Sequence, residues 1–224
     1  MADNRLRIGV VLSGCGVYDG AEIHEAVCTL IAIDRAGAVA VCYAPNVAQA
    51  HVVDHLTGQE TGEIRNVLTE SARIARGRIT DLATFQAGDV DALIFPGGFG
   101  AAKNLSSFAF QGADCTVNPD VEKAVRAMKA AGKPIGALCI APAILAKLLG
   151  TEGVELTIGS DPGTAQALET LGAKHRVTTH CEVVVDRVHK VVTAPCYMLD
   201  ASVSQIADGA ANAVDALIGL VRSA

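Results

Sequence analysis

Tryptophan is absent, and aromatic residues make up only 4% of the 224-residue chain. A core must therefore be filled by Val, Ile, Leu and Ala, which suits parallel strands buried on both faces and written as continuous aliphatic runs. Charge is sparse as well, at 19% of residues against 50% hydrophobic. That balance excludes a disordered chain, which needs low hydrophobicity and high charge. There is no basic tract: the formal net charge is −6, and the densest basic stretch, 65–78, also carries Glu70. Nucleic acid is not expected as a partner, because binding it takes clustered Lys and Arg to displace counterions from phosphate. No hydrophobic run can span a bilayer, since the longest uncharged apolar stretch, 134–146, is short and broken by Pro and Gly. No membrane partner is expected on that ground.

Paired cysteine spacing is missing too. The seven cysteines, Cys15, Cys28, Cys42, Cys115, Cys139, Cys181 and Cys196, are odd in number and form no Cys-x-x-Cys. Neither a zinc site nor a disulfide framework is indicated. The thiols are expected to be reduced and, with no signal-peptide layout at the amino end, the expected location is cytoplasmic.

What is present is an alternation of aliphatic strands and amphipathic helices. Residues 7–12 read as a strand ending in a Gly-rich loop, 13–20, and helical spacing follows over 21–36. Strands are predicted at 39–43, 90–95, 133–138 and 154–158, with helices at 67–76, 119–131, 141–149, 164–171 and 202–221. Asn118 and Pro119 form a capping and first-turn pair, and 183–185 with 190–193 read as a hairpin. Segment 51–62 reads as an irregular excursion and 101–118 as a long loop. The pattern predicts an α/β, doubly wound sheet in one domain over 1–224. Ligands in such sheets bind beyond the carboxyl ends of the strands, so 13–20, 96–100 and 138–142 should converge there.

Within that convergence, Cys139 closes a strand and a helix follows at once, with small residues Ala137 and Ala141 on either side. This is the layout of a nucleophile elbow. A helix N-terminus beside the sulfur favours thiolate. The amide of Ile140 and those of Gly97 and Gly98 are candidate donors to an oxyanion. Glu22 and Glu25 open the first helix three residues apart, at the same end of the sheet, where a carboxyl could orient the thiol or move a proton. Acids are also favoured there by the helix dipole alone. No histidine is tied to Cys139 by spacing, and Gly14-Cys15-Gly16-Val17-Tyr18-Asp19-Gly20 has one residue too many for a dinucleotide loop.

Four runs extend the reading: 14–25, 65–76, Phe95-Pro96-Gly97-Gly98-Phe99 through Asn104, and Gly136-Ala137-Leu138-Cys139-Ile140-Ala141-Pro142. Through them the chain resembles the ElbB-like isoprenoid biosynthesis proteins with an amidotransferase-like domain, a branch of the PfpI and class I glutamine amidotransferase-like superfamily. The resemblance implies a flavodoxin-like, mostly parallel sheet sandwiched by helices, a homodimer, and a catalytic pair at Cys139 and Glu25. It also implies a slow glyoxalase III-type hydro-lyase without cofactor or metal, turning a small aldehyde substrate such as methylglyoxal or glyoxal into a hydroxy acid through a Cys139 hemithioacetal. Many superfamily members place His directly after the nucleophile, where this chain has Ile140. That departure argues against glutaminase or protease chemistry. The alternative is a non-enzymatic redox sensor or accessory protein in isoprenoid synthesis, using the same cysteine.

Overall fold

The computed structural model describes residues 5–223. Its centre is a seven-stranded sheet in the order β3-β2-β1-β4-β5-β9-β8. The strands are β1 (Arg7–Val11), β2 (Val39–Ala44), β3 (Ile79–Asp81), β4 (Ala92–Phe95), β5 (Ile135–Leu138), β8 (Val184–Asp186) and β9 (Val191–Ala194). All neighbours run parallel except β8, which pairs antiparallel with β9 as the sequence pattern predicts. The chain winds outward from β1 through β2 to β3, then returns to β4 on the other side of β1. The crevice between β1 and β4 is thus the topological switch point, where doubly wound sheets bind ligands.

The aliphatic strands feed two cores by simple alternation. Ala92 and Ile94 of β4 pack on one face, with Ile8, Val10, Val192 and Ala194. Leu93 and Phe95 pack on the other, with Val11, Ile135, Ala137 and Val191. The first core is covered by α1 (Ile23–Arg35) and α8 (Val203–Arg222), through Ala26, Ile33, Ala210, Ala213 and Leu217. The second is covered by α5 (Pro119–Ala130) and α6 (Pro142–Leu149), through Val121, Val125, Met128, Ile144 and Leu145. Small alanines let α1 and α8 lie close together where aromatic bulk is missing. Asn118 caps α5 by accepting from the amides of Asp120 (2.9 Å) and Val121 (3.3 Å), and Ser202 with Gln205 forms a capping box on α8.

Two expectations are corrected, and one strand was missed. Segment 101–118 is not one loop: it carries the end of α3 (Phe99–Lys103) and all of α4 (Phe108–Gln111), helices too short to leave a periodic signal. The strand expected over 154–158 shrinks to β6 (Glu155–Leu156), which leaves the main sheet and pairs with β7 (Lys174–His175). Its continuation is diverted because the Thr157 amide donates to Thr193 Oγ1 at 2.9 Å and its hydroxyl meets Thr178 at 2.7 Å. Strand β3 was not anticipated, being three residues long at the sheet edge. Between the strands lie α2 (Val67–Ile74), close to the helix expected there, and α7 (Pro162–Thr170).

Leu93 is fully buried between β4 and the α5–α6 layer. Leu93→Ala should lower stability by about 2–5 kcal/mol through lost transfer energy and a residual cavity, read as a shift in urea midpoint. A loss below about 1 kcal/mol would contradict the packing described.

Candidate active site

The site is built where β1, β4 and β5 end. Cys139 follows the last residue of β5 with φ at 59°, a left-handed conformation that few side chains adopt. Two hydrogen bonds hold it there: its own amide donates to Ala194 O at 2.9 Å, and the Ala141 amide donates to Leu138 O at 2.9 Å. Helix α6 then starts with Pro142, whose missing amide hydrogen is harmless in a first turn. The sulfur is set at the top of the sheet with the residue only 7% exposed.

The turn after β4 lies against it. A Cβ built on Gly97 would fall inside contact distance of the Cys139 Cβ and 2.6 Å from Glu25 Oε2. Gly98 has φ at 95° and presses on the backbone of Glu22 and Gly20. This turn is stitched to the Gly-rich loop by Glu22 N–H to Gly97 O (2.9 Å), Phe99 N–H to Val17 O (2.8 Å) and Gly100 N–H to Gly20 O (2.8 Å). Asn104 ties the same loop down, donating to Ser13 O and Asp19 O at 2.8 Å each while its Oδ1 accepts from Ala50.

Glu25 is fully buried. Its Oε2 accepts from the Gly97 amide at 2.9 Å and its Oε1 from the Tyr197 amide at 3.1 Å. The carboxyl also lies beside Cys139, since a Cβ on Gly97 would meet both groups; the thiol lowers the proton affinity of the carboxyl, and the carboxylate raises that of the thiol. Burial raises its pKa from the usual carboxylate range to about 7, against the pull of those amides and the thiol. Glu22 caps α1 from outside, its Oε2 accepting the Glu25 amide at 2.7 Å. The Cys139 thiol is itself pushed well up, first by burial and then by the charge of Glu25. The amides of Gly98 and Ile140 point at the sulfur and act in the opposite sense.

Two sequence expectations change here. The helix dipole does not make Cys139 a ready thiolate, because burial and a neighbouring carboxyl outweigh two amides. Gly97 is not a free oxyanion donor, because its amide is committed to Glu25; the amides of Gly98 and Ile140 remain directed at the sulfur. The predicted convergence of three segments is found: a cavity of about 300 Å³ over Cys139 is lined by Val17, Glu22, Gly98, Phe99 and Ile140, joined by Thr164, Tyr197 and Met198. The last three were missed, since they come from α7 and the turn after β9 and carry no motif. Cys196, on that turn with φ at 44°, is a second buried thiol, its sulfur toward Gly209 of α8 and its proton affinity raised by burial and by the nearby charge of Glu25. Cys15 lies instead among Arg73, Glu70 and Asp19. His24 stands outside, its Nδ1 2.8 Å from the Tyr197 hydroxyl. Among the described residues no group of three or more His, Cys, Asp or Glu is placed to hold a metal ion, all seven cysteines are free, and no helix is long and apolar enough to cross a membrane.

A buried cysteine on a strand-to-helix elbow, paired with a glutamate from the first helix of a doubly wound sheet, defines a cysteine-elbow protein of flavodoxin-like fold. No protein-family model matches the chain. Among curated proteins it is 54% identical over 213 residues to human glutamine amidotransferase-like class 1 domain-containing protein 3, mitochondrial, covering 91% of this chain and 79% of that one. The chain belongs to the glutamine amidotransferase-like class 1 domain family. Among solved structures, an isoprenoid biosynthesis protein with amidotransferase-like domain from Ehrlichia chaffeensis superposes at a TM-score of 0.88 with 36% identity, covering 96% of this chain and 99% of that one. A glyoxalase III from Candida albicans shares the fold alone, at a TM-score of 0.61 and 14% identity over 94% of this chain and 97% of its own.

The relatives overturn the cytoplasmic expectation. The human protein, a rat ES1 homolog (51% identical, covering 92% of this chain and 80% of its own) and an ES1 protein from Danio rerio are all named as mitochondrial. They point to a mitochondrial rather than a cytoplasmic location. Unpaired cysteines mark a reducing compartment of either kind, so their spacing could not separate the two.

The raised Glu25 pKa has a thermodynamic consequence. Between about 4.5 and about 7 the folded state holds a proton that the unfolded state has released, so stability falls as pH rises through that window and levels off above it. Urea unfolding of the wild type and Glu25→Gln across that range should show the decline only in the wild type. The decline is at most about 1.4 kcal/mol for each pH unit crossed. Parallel curves for the two proteins would show that Glu25 is not buried as described.

Proposed function

We propose that the protein is a slow glyoxalase-type lyase that converts α-oxoaldehydes to hydroxy acids with Cys139 as nucleophile and Glu25 as proton carrier. The observation that carries this reading is the fully buried Glu25 carboxyl set against Cys139 at the floor of a cavity, with its pKa raised to about 7. A group with that pKa both accepts and returns a proton near neutrality. Carboxylate Glu25 takes the thiol proton as Cys139 Sγ bonds to the aldehyde carbon. The oxygen that gains the electron pair is received by the amides of Gly98 and Ile140, and Glu25 hands the proton to it to complete the hemithioacetal. Glu25 then removes the hydrogen from that carbon, giving an enediolate, and returns it to the adjacent carbon as the hydroxyl proton passes from the first oxygen to the second. The first carbon is oxidised to a thioester as the second is reduced to a carbinol. Water cleaves the thioester, releasing the hydroxy acid and restoring the thiol, so the net change is addition of one water. Glu22 supports the pair by holding the Glu25 amide. An oxidation-sensor role has weaker support, because burial and Glu25 keep the thiol protonated, whereas peroxide oxidation follows thiolate character and exposure.

The wild type should form lactate from methylglyoxal without glutathione. Cys139→Ala and Glu25→Gln should each lose about 100-fold or more, in the range typical of a removed nucleophile or general base. The wild-type kcat/KM should fall on the acid side with an apparent pKa near 7, as Glu25 becomes protonated. Equal lactate formation by wild type and Cys139→Ala would remove the lyase reading.

A further inference from the structure

The cavity over Cys139 is larger and more apolar than methylglyoxal requires. Its volume is about 300 Å³. A five-heavy-atom molecule fills no more than about 150 Å³, even granting each heavy atom a liquid water's ~30 Å³. At least half of the space would then be left to water against apolar walls, surface that a larger ligand would bury instead. The walls say what the rest is for. Val17, Phe99, Ile140 and Met198 present apolar surface, and Tyr197 adds a ring. Glu25 and the amides of Gly98 and Ile140 meet the sulfur, and Glu22 and Thr164 are the other polar residues of the lining besides the Tyr197 hydroxyl.

Charge narrows the choice further. Glu22 is the charged residue of the lining, and Glu25 lies buried behind Cys139. Among the described residues no Lys or Arg lines the cavity. Lys103 lies over the Phe99 ring, 5.3 Å from its centroid, with its ammonium donating to Tyr18 O at 3.0 Å. An anionic ligand would therefore face carboxylates with no cation in the lining to pair with, the Lys103 ammonium lying over the Phe99 ring and engaged by Tyr18 O, and a buried unpaired charge is costly.

Resting on the lyase reading, we propose that the preferred substrates are uncharged α-oxoaldehydes bearing a branched aliphatic or aryl substituent of about four to seven carbons, and that carboxylated or phosphorylated carbonyl compounds are excluded. The dicarbonyl head reaches Cys139 and the two amides, while the tail lies along Val17, Phe99, Ile140 and Met198. Filling the mouth should erase the preference, and Val17→Phe is the substitution that does so from the Gly-rich loop.

Two readouts test this together. The first is kcat/KM for methylglyoxal, 4-methyl-2-oxopentanal and phenylglyoxal with the wild type and Val17→Phe. The second needs no turnover: the rate at which iodoacetamide alkylates Cys139, followed by peptide mass spectrometry, with acetone, 4-methyl-2-pentanone or 4-methyl-2-oxopentanoate as protectant at equal concentration. The wild type should favour the bulky aldehydes by about tenfold or more, since one or more methylenes in an apolar pocket commonly give that much. Val17→Phe should bring the ratio toward one. The branched ketone should protect Cys139 far better than acetone and far better than the branched keto acid. If the ketone protects but no aldehyde is turned over, the pocket preference stands and the lyase reading falls. Protection by acetone or by the keto acid equal to that by the branched ketone would overturn the proposal.

Discussion

Burying a carboxyl group without a cationic partner costs several kcal/mol if it is charged and leaves polar atoms unpaired if it is not. Glu25 is buried in that way, and much of the surrounding architecture compensates for it. Two backbone amides, those of Gly97 and Tyr197, come from the ends of different strands to meet its two oxygens. Neither amide could reach if the turn after β4 carried a side chain at Gly97, where a Cβ would collide with both Cys139 and the carboxylate. The glycine is there because a carboxylate, a thiol and a backbone turn occupy one small volume. The positive φ at Cys139 and Cys196 belongs to the same compression, as the strained residues flank the same group.

Placing a thiol and a carboxyl together in this way sets their protonation jointly. Burial raises the proton affinity of both, and the charge of Glu25 raises that of the thiol further. The stable form near neutrality carries at most one negative charge across the pair, with the thiol holding its proton. Such an arrangement gives up the standing thiolate of an exposed reactive cysteine. Under the proposed mechanism the proton has a defined destination during attack, and the same carboxyl can return it. A site that lacks the histidine common in related proteins can still run acid and base steps from one group, provided that group's pKa lies near the working pH. Glu25 meets that condition chiefly through desolvation.

The fold was legible to the extent that the aliphatic pattern was long. Strands β1, β2, β4 and β5 and helices α1, α5, α6 and α8 follow runs in which burial on both faces, or a helical stripe with caps, leaves little choice. Elements of two to five residues, such as β3, β7, α3 and α4, are fixed by tertiary contacts and left no signal of their own. In the site, the elbow's spacing marked Cys139, whereas Glu25 was singled out only by the family resemblance, since the dipole favours acids in any first turn. Tyr197, Met198 and Thr164 were not found, since they are brought in by the β9 turn and α7 from distant sequence. The sign of the cysteine pKa was misread for the same reason. A helix N-terminus can be seen in a sequence, but the burial that outweighs it cannot.

The scarcity of aromatic residues ties these levels together. Tyr43, Phe85 and Phe95 are buried in the core beneath α5 and α6, while the core beneath α1 and α8 holds no buried aromatic side chain among the described residues. Glu25 projects from α1, on that aliphatic side, where small residues leave room for a carboxyl and two thiols. The aromatics nearest the site stand at its rim instead: Phe99 is half exposed beside the cavity, and Tyr197 sits at its edge with its hydroxyl on His24. On this side of the sheet the large side chains therefore shape the pocket and leave the interior to aliphatics. Selectivity would then be carried by residues whose loss costs the fold little, while the proton-carrying pair is carried by residues whose loss disturbs the packing of three strand ends. On the proposed reading, that separation would let the cavity change its ligand without changing the chemistry at its floor.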